Sequence, residues 1–127
     1  MLIVIPAVYF LFVAGEFALI TAIALSLTDR GVSTLAVGAM VSALWLGILV
    51  ASASAHRLVA RHGHARVFVW AGALAAAAAV TLPGHASYAG WMAGVALLGL
   101  GAGWIWVAGE AWLAEAAPAA QRGLYVG

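Results

Sequence analysis

Long apolar runs alternate with short polar segments along this chain, and the runs predict four membrane-spanning helices. They lie at about 2–27, 35–55, 67–82 and 88–116. A spanning α-helix needs roughly 20 mainly apolar residues at about 1.5 Å of rise each, and the first, second and fourth runs meet that length. The third run, VFVWAGALAAAAAVTL, is shorter and rich in alanine, which is only mildly apolar but is the best helix former.

A secretory signal peptide is a competing interpretation of the first run, because AIA at 22–24 resembles a cleavage site. Such a signal has a basic segment before an apolar stretch of roughly 7–15 residues. Here the basic segment is missing and the apolar run is longer. A helix that remains in the membrane is therefore predicted.

The composition indicates that these helices lie in lipid. Of the 127 residues, 67% are hydrophobic and 7% are charged, whereas a soluble domain carries about 25% charged residues. A lipid bilayer is therefore the expected partner. Cysteine is absent, which excludes disulfides and thiolate metal sites. The net charge of +1 gives no indication of nucleic-acid binding, no cofactor is expected, and no set of acids and histidines has catalytic spacing, so an enzyme is not predicted.

The polar segments between the runs predict the orientation in the membrane. The segment HRLVARHGHAR carries three arginines and no acid, whereas Asp29 and Arg30 cancel in the first segment and PGHASY carries neither type of charge. Arginine-rich short loops stay in the cytoplasm. The second loop and both termini are therefore predicted to be cytoplasmic. The three histidines of this loop suggest a metal site, but no carboxylate is near, so a solvated loop is the preferred interpretation.

Glu16 lies near the middle of the first run, and hence near the centre of the bilayer. An ionised carboxylate is costly at that depth, and such residues usually face a cavity or a partner. Every arginine lies in a loop or at the end of a run. Glu16 is therefore either a proton- or substrate-binding residue or a neutral side chain that is hydrogen-bonded to a neighbouring helix. Tyr9 falls on the same helix face two turns earlier.

Glu110 lies about eight residues past the middle of the fourth run, or roughly 12 Å toward the cytoplasmic surface. At that depth the arginines of the second loop are within reach, so Arg61 or Arg66 is predicted to pair with Glu110 or Glu115. An alternative is that Glu110 lines a substrate path together with Trp106, one turn earlier.

Small residues four positions apart share a helix face and let two backbones approach closely. Three such pairs occur within the runs and predict a packed bundle: Gly38 with Ser42, Gly90 with Gly94, and Gly99 with Gly103.

The segment HRLVARHGHAR resembles the signature loop of the major facilitator superfamily, Gly-x-x-x-Asp-Arg-x-Gly-x-Arg-Arg. Arg61, Gly63 and Arg66 stand at matching positions. Two positions depart from the pattern, because His56 replaces the first glycine and Ala60 replaces the aspartate.

A second resemblance lies at the end of the fourth run. GEAWLAEAAPAAQRG is similar to the Glu-Ser-Trp-Leu…Ala-Pro…Arg-Gly stretch of one bacterial branch of that superfamily. The matching residues include Glu110, Trp112, Pro118, Arg122 and Gly123, with alanine in place of the serine. The resemblance covers nearly the whole chain but only a third of the family's usual twelve helices. The chain is therefore expected to be the first four helices of a longer transporter, with the remaining helices as its partners.

The resemblance implies a mechanism. Two halves of six helices rock around a central site near the bilayer midplane, and the first and fourth helices line the cavity. The implied function is secondary active transport of a small solute by alternating access in the bacterial cytoplasmic (inner) membrane, with Glu16 coupling a proton. Arg61 and Arg66 would belong to a charge network at the inner face. Val95 stands near the position where antiporters often carry an arginine, which disfavours a drug/proton antiporter.

Two other functions are compatible with four spans. A small multidrug-type exporter acts as a dimer that pairs one glutamate from each copy, and Glu16 would fill that role. The arginine-rich loop and the Trp-Leu…Ala-Pro…Arg-Gly ending do not fit that family. A membrane scaffold without transport activity is the third possibility. The solute, the direction of transport and the coupling ion do not follow from the sequence.

Overall fold

The computed structural model describes residues 4–85 and 87–116. Within these residues there are four α-helices: α1 (Val4–Asp29), α2 (Thr34–His62), α3 (His64–Thr81) and α4 (Tyr88–Ala116). A short 3₁₀ turn, Leu82–Gly84, joins the last two, and this part of the chain contains no strand. All four helices are long and apolar enough to cross a membrane. The prediction of an all-α bundle of four such helices is confirmed.

The connection between α2 and α3 is a single residue. Gly63 has a φ of 79°, and its N–H donates to the carbonyl of Val59 at 2.8 Å, which closes the last turn of α2. Only glycine adopts this left-handed backbone without strain. Helix α3 then begins at His64.

The prediction of a loop over HRLVARHGHAR is therefore wrong. Arg61 lies in the last turn of α2 and Arg66 in the first turn of α3, and both are exposed. The physical reason is that arginine, alanine and leucine all favour helix, and a long charged side chain can reach water from a helix end. The charged residues therefore indicate where the apolar run ends, whereas Gly63 determines where α2 ends.

Helix α4 is the centre of the bundle and packs against both α2 and α3. Three of its glycines make this approach possible. A Cβ at Gly99 or Gly103 would overlap α2, and a Cβ at Gly101 would lie 2.9 Å from the carbonyl oxygen of Ala71 on α3. The predicted pair of Gly99 and Gly103 thus lies at a helix contact.

The other two predicted pairs lie elsewhere. Gly38 has open space around its Cα, and the hydroxyl of Ser42 donates to the Gly38 carbonyl within the same helix at 3.0 Å. Gly90 and Gly94 face the side chains of His85 and Leu82 in the turn before α4 rather than another long helix.

Helix α1 is held more loosely than the others. Its contacts with α2 and α4 are sparse, and its buried side chains among those described, Ile23 and Leu27, lie in its last two turns. Large apolar side chains such as Phe10 and Phe17 remain exposed along α1. The middle of α1, at the level of Glu16, lines a cavity against α2 and α4.

The helices alternate in direction, so the bundle has two distinct ends. The arginine-rich end contains the start of α1, the α2–α3 connection and the end of α4. At the opposite end, the guanidinium of Arg30 lies 6.0 Å from the ring centroid of Trp91, and the hydroxyl of Tyr88 donates to the Ala36 carbonyl at 2.7 Å. These contacts join the α1–α2 connection and the start of α2 to α4.

Candidate functional site

Glu16 lies in a cavity of about 70 Å³ between α1, α2 and α4. The walls are otherwise apolar or aromatic, and they include Phe17 from α1, Trp45 and Ile48 from α2, and Trp106 from α4. Glu16 is near the middle of α1, and Ile48 is near the middle of α2. The carboxyl group is therefore about as far from both ends of the bundle as a residue of this chain can be.

One oxygen of this carboxyl group lacks a hydrogen-bond partner. Oε1 of Glu16 is buried, and no donor among the residues that the structure describes reaches it. An unpaired buried polar atom costs about 1–3 kcal/mol in proteins, so nearly all such atoms are paired. The alternative interpretation was a neutral Glu16 that is hydrogen-bonded to a neighbouring helix, and Oε1 makes no such hydrogen bond. An unpaired atom in a cavity is instead typical of a site that binds a proton, a water or a solute.

Trp106 connects Glu16 to the second acid. Its indole Nε1 donates to Oε1 of Glu110, one turn further along α4, at 2.6 Å. The ring of Tyr9 stands edge-on to the Trp106 ring, with the centroids 6.1 Å apart and an angle of 89° between the planes. The four candidate residues therefore form one continuous surface. We call the surface formed by Tyr9, Glu16, Trp106 and Glu110 the central site.

Trp45 belongs beside the central site, and sequence reasoning missed it. It lines the cavity of Glu16, yet 51% of the residue is exposed. A single tryptophan within an apolar run gives no signal of its own. Trp45 is one turn before Ile48, and Ile48 lies at the same depth as Glu16. Which residue of α2 lies at that depth follows only from the positions of the helices in the structure.

At the arginine-rich end, a contact between a histidine and an acid takes the place of the predicted ion pair. Nδ1 of His64 lies 3.2 Å from Oε2 of Glu115. Within residues 4–85 and 87–116, neither Arg61 nor Arg66 forms an ion pair with Glu110 or Glu115, so that prediction is wrong. Two features explain the difference.

The first feature is that Glu110 accepts its hydrogen bond from Trp106 on the same helix. The second is that the one-residue turn at Gly63 brings the first residue of α3, His64, against the end of α4, while both arginines remain exposed. A shallow cleft of about 540 Å³ lies beside this pair, and Ala60 is part of its wall where the family pattern has an acid.

The remaining sequence candidates have structural positions or lie outside the described residues. The rings of Trp112 and Phe68 pack edge to face with centroids 6.2 Å apart, which joins α4 to α3. Pro118, Arg122 and Gly123 fall outside the described residues. Over the described ranges, no three acids or histidines come close enough together to hold a metal ion.

Comparison with known proteins identifies the family. No curated protein and no solved structure matches this chain. The family model of the Major Facilitator Superfamily matches residues 7–127, which include the central site and all four helices except the first three residues of α1. Members of this family are membrane transporters, so the match indicates a multi-pass membrane transport protein and disfavours the small-exporter family and the scaffold alternative. The resemblance in the sequence is confirmed, and the chain belongs to the major facilitator superfamily.

Proposed function

We propose that this chain takes part in secondary active transport of a small solute by alternating access, and that protonation of Glu16 is coupled to solute binding. The observation that carries the proposal is the unpaired, buried Oε1 of Glu16 in a cavity between three helices. Ionisable residues inside the membrane are rare because they are costly, and they mark substrate paths and proton relays.

The surroundings of Glu16 support a carboxyl group that changes its charge. Apolar walls such as Phe17 and Ile48 disfavour the ionised form, whereas a bound cation or water stabilises it. The proton and a solute can therefore exchange at this group, since the arrival of one changes the affinity for the other. That reciprocal effect is what coupled transport requires.

We propose that further helices complete the central site. Glu16 lies between this cavity of about 70 Å³ and an open cleft of about 300 Å³ between α1, α3 and α4. Neither exceeds the lower limit of the roughly 300–1,000 Å³ that encloses a drug-sized ligand. Trp106 is 41% exposed, and Glu110 is exposed on the same face of α4. The remaining helices of a transporter would cover this face and enlarge the cavity, which fits a site formed between two halves of the molecule.

We also propose that the arginine-rich end faces the cytoplasm of a bacterial cell, with both termini on that side. Arg57, Arg61 and Arg66 are all exposed at this end, where α2 meets α3, and the opposite end carries Asp29 beside Arg30. Positively charged short connections are retained in the cytoplasm. The inner-face arginines would then be available to the charge network that the family resemblance implies.

The experiment is a proton-coupling assay with the full-length protein in inverted membrane vesicles. A pH gradient is followed with an acridine dye while sugars, amino acids, organic acids and organic cations are added one at a time. A transported solute dissipates the gradient. We expect Glu16→Gln, which keeps the shape of the side chain but not its proton, to abolish this response.

Glu115→Gln is the matched control, because Glu115 is an exposed acid far from the cavity, and it should retain the response. Two outcomes contradict the proposal: the wild-type protein responds to no solute in the panel, or Glu16→Gln responds as the wild type does.

A further inference from the structure

We infer that the central site and its neighbour Trp45 bind a monovalent organic cation with an aromatic or apolar body. This inference rests on the proposed function, because it names the class of solute for the same site. It departs from the expectation, based on Val95, that disfavours a drug/proton antiporter. It is carried by the aromatic side chains around Glu16, by the charges on this surface and by the shape of the cavity, and the three observations are independent of one another.

Aromatic side chains from three helices surround the carboxyl group. Phe17 on α1, Trp45 on α2 and Trp106 on α4 line the same cavity as Glu16. Tryptophan is the aromatic side chain that attracts a cation most strongly through its ring, and the attraction rises when water is excluded. A cavity lined by aromatic rings and a carboxyl group is therefore suited to an ammonium, phosphonium or similar head group.

The engaged indole of Trp106 strengthens this assignment. Its N–H donates to Glu110, so this donor is not free for a carboxylate or phosphate of a solute. The same hydrogen bond and the edge contact with Tyr9 fix the orientation of the ring. A solute that meets Trp106 therefore meets the π-system of a ring that is already held in place.

The charges that the described residues place on this surface favour a cationic solute over an anionic one. Glu16 and Glu110 are both acids, and no arginine among the described residues lies near them: Arg30 is beside Trp91 at one end, and the other three are at the α2–α3 connection. The chain contains no lysine. An anion would lose its hydration and face repulsion without a compensating charge, whereas a cation gains a buried counter-ion.

The shape of the cavity also separates the head of the solute from its body. The cavity of about 70 Å³ lies at Glu16, and two of its wall residues, Trp45 and Trp106, are 51% and 41% exposed. A compact charged head fits this cavity, and an apolar body fits against the exposed faces of these two rings. A sugar would leave most of its hydroxyl groups against apolar walls, which is unfavourable.

The test uses two probes of the same shape and opposite charge, tetraphenylphosphonium and tetraphenylborate. Binding of radiolabelled tetraphenylphosphonium to the purified full-length protein in detergent is measured by a scintillation proximity assay at pH 8. We expect saturable binding that unlabelled ethidium displaces and that tetraphenylborate does not. Since protons compete for the same carboxyl group, binding should weaken at pH 5.5.

Four variants connect the binding to the named residues. Glu16→Gln and Trp106→Ala should each weaken binding by about tenfold or more, as expected for loss of a counter-ion or of a cation–π contact in a partly dry site. Glu16→Asp keeps the charge, and Trp106→Phe keeps an aromatic ring, so both should retain binding within about threefold. These two variants separate loss of the site from loss of the fold, and Glu115→Gln should leave binding unchanged.

The outcomes distinguish this inference from the proposed function. Saturable binding that depends on Glu16 and Trp106 supports the inference even if no coupled transport is found. No saturable binding of tetraphenylphosphonium at concentrations up to about 1 mM, or equal binding of tetraphenylborate through the same residues, overturns it. A response of the vesicle assay to a sugar or an organic acid through Glu16 would overturn the inference and leave the proposed function intact.

Discussion

The contact between α2 and α4 makes a sharp prediction about Gly99. A Cβ at Gly99 would overlap the carbonyl oxygen of Leu44, and the Cα of Leu44 would lie only 3.1 Å away. These are backbone atoms, so no side-chain rotation relieves the overlap. The substitution Gly99→Ala therefore requires α2 and α4 to move apart.

The size of the effect follows from two opposing contributions. Overpacking of a close contact costs about 1–3 kcal/mol, whereas replacing glycine by alanine within a helix returns about 1 kcal/mol through helix propensity. Gly38→Ala is a matched control in α2, because Gly38 is exposed and a Cβ there meets nothing within 4 Å. The control carries the propensity gain without the overlap, so the two variants should differ in unfolding free energy by about 1–3 kcal/mol.

The measurement is an SDS titration of each purified variant in detergent, with helix content followed by circular dichroism. Gly99→Ala should unfold at a lower SDS fraction than Gly38→Ala. Equal unfolding midpoints for the two variants would refute the reasoning, because the overlap would then have been absorbed without cost. A lower midpoint for Gly38→Ala would also refute the reasoning, because both substitutions carry the same gain in helix propensity and only Gly99→Ala adds an overlap.

Three further predictions concern the hydrogen bond from Trp104 to Ser54, the contact between His64 and Glu115, and the orientation of the chain in the membrane. Ser54→Ala removes the hydroxyl that accepts from an α4 indole at 3.0 Å and should cost about 0.6 kcal/mol, at most about 1.7, in the same titration. Ser42→Ala, which loses a bond within its own helix, should cost less. A double-mutant cycle between His64→Gln and Glu115→Gln should give a coupling of at most about 1 kcal/mol, because the Glu115 side chain is 67% exposed; a coupling above about 2 kcal/mol would contradict this. Single cysteines at Ser33 and His64 should react with a membrane-impermeant maleimide from opposite sides, and reaction of both from outside would reject the orientation.

The helices could be predicted from the sequence because their signal is local. An apolar run of sufficient length has few alternatives to a helix in lipid, where every backbone hydrogen bond must be made internally. The ends of the helices were less predictable. Arg61 and Arg66 indicated where the apolar region ends, but α2 continues to His62. The helix ends at Gly63, which has a positive φ. Nothing in the residues beside this glycine predicts that backbone conformation.

The contacts between helices depended on information that one sequence does not contain. The Gly99–Gly103 pair and the Gly38–Ser42 pair have the same spacing, yet only the first lies against another helix. Which pair faces another helix depends on the rotation of each helix about its own axis. Because these helices are apolar on every side, their sequences do not determine that rotation. For the same reason, the sequence could not show that the partner of Glu115 is His64 and not an arginine.

Glu16 was different, because a single acid within an apolar run is informative without any knowledge of its neighbours. Its assignment as a coupling residue stays a prediction. The cavity, the unpaired oxygen and the aromatic neighbour Trp45 are what the structure adds.

The central position of α4 has a consequence for the order of assembly during synthesis. Helices α2 and α3 are joined by one residue, but they contact each other little and meet mainly through α4. Of the four helices, α4 is the last to leave the ribosome. The glycine-mediated contacts therefore form only after three helices have already entered the bilayer, and membrane insertion of this part of the chain precedes its packing.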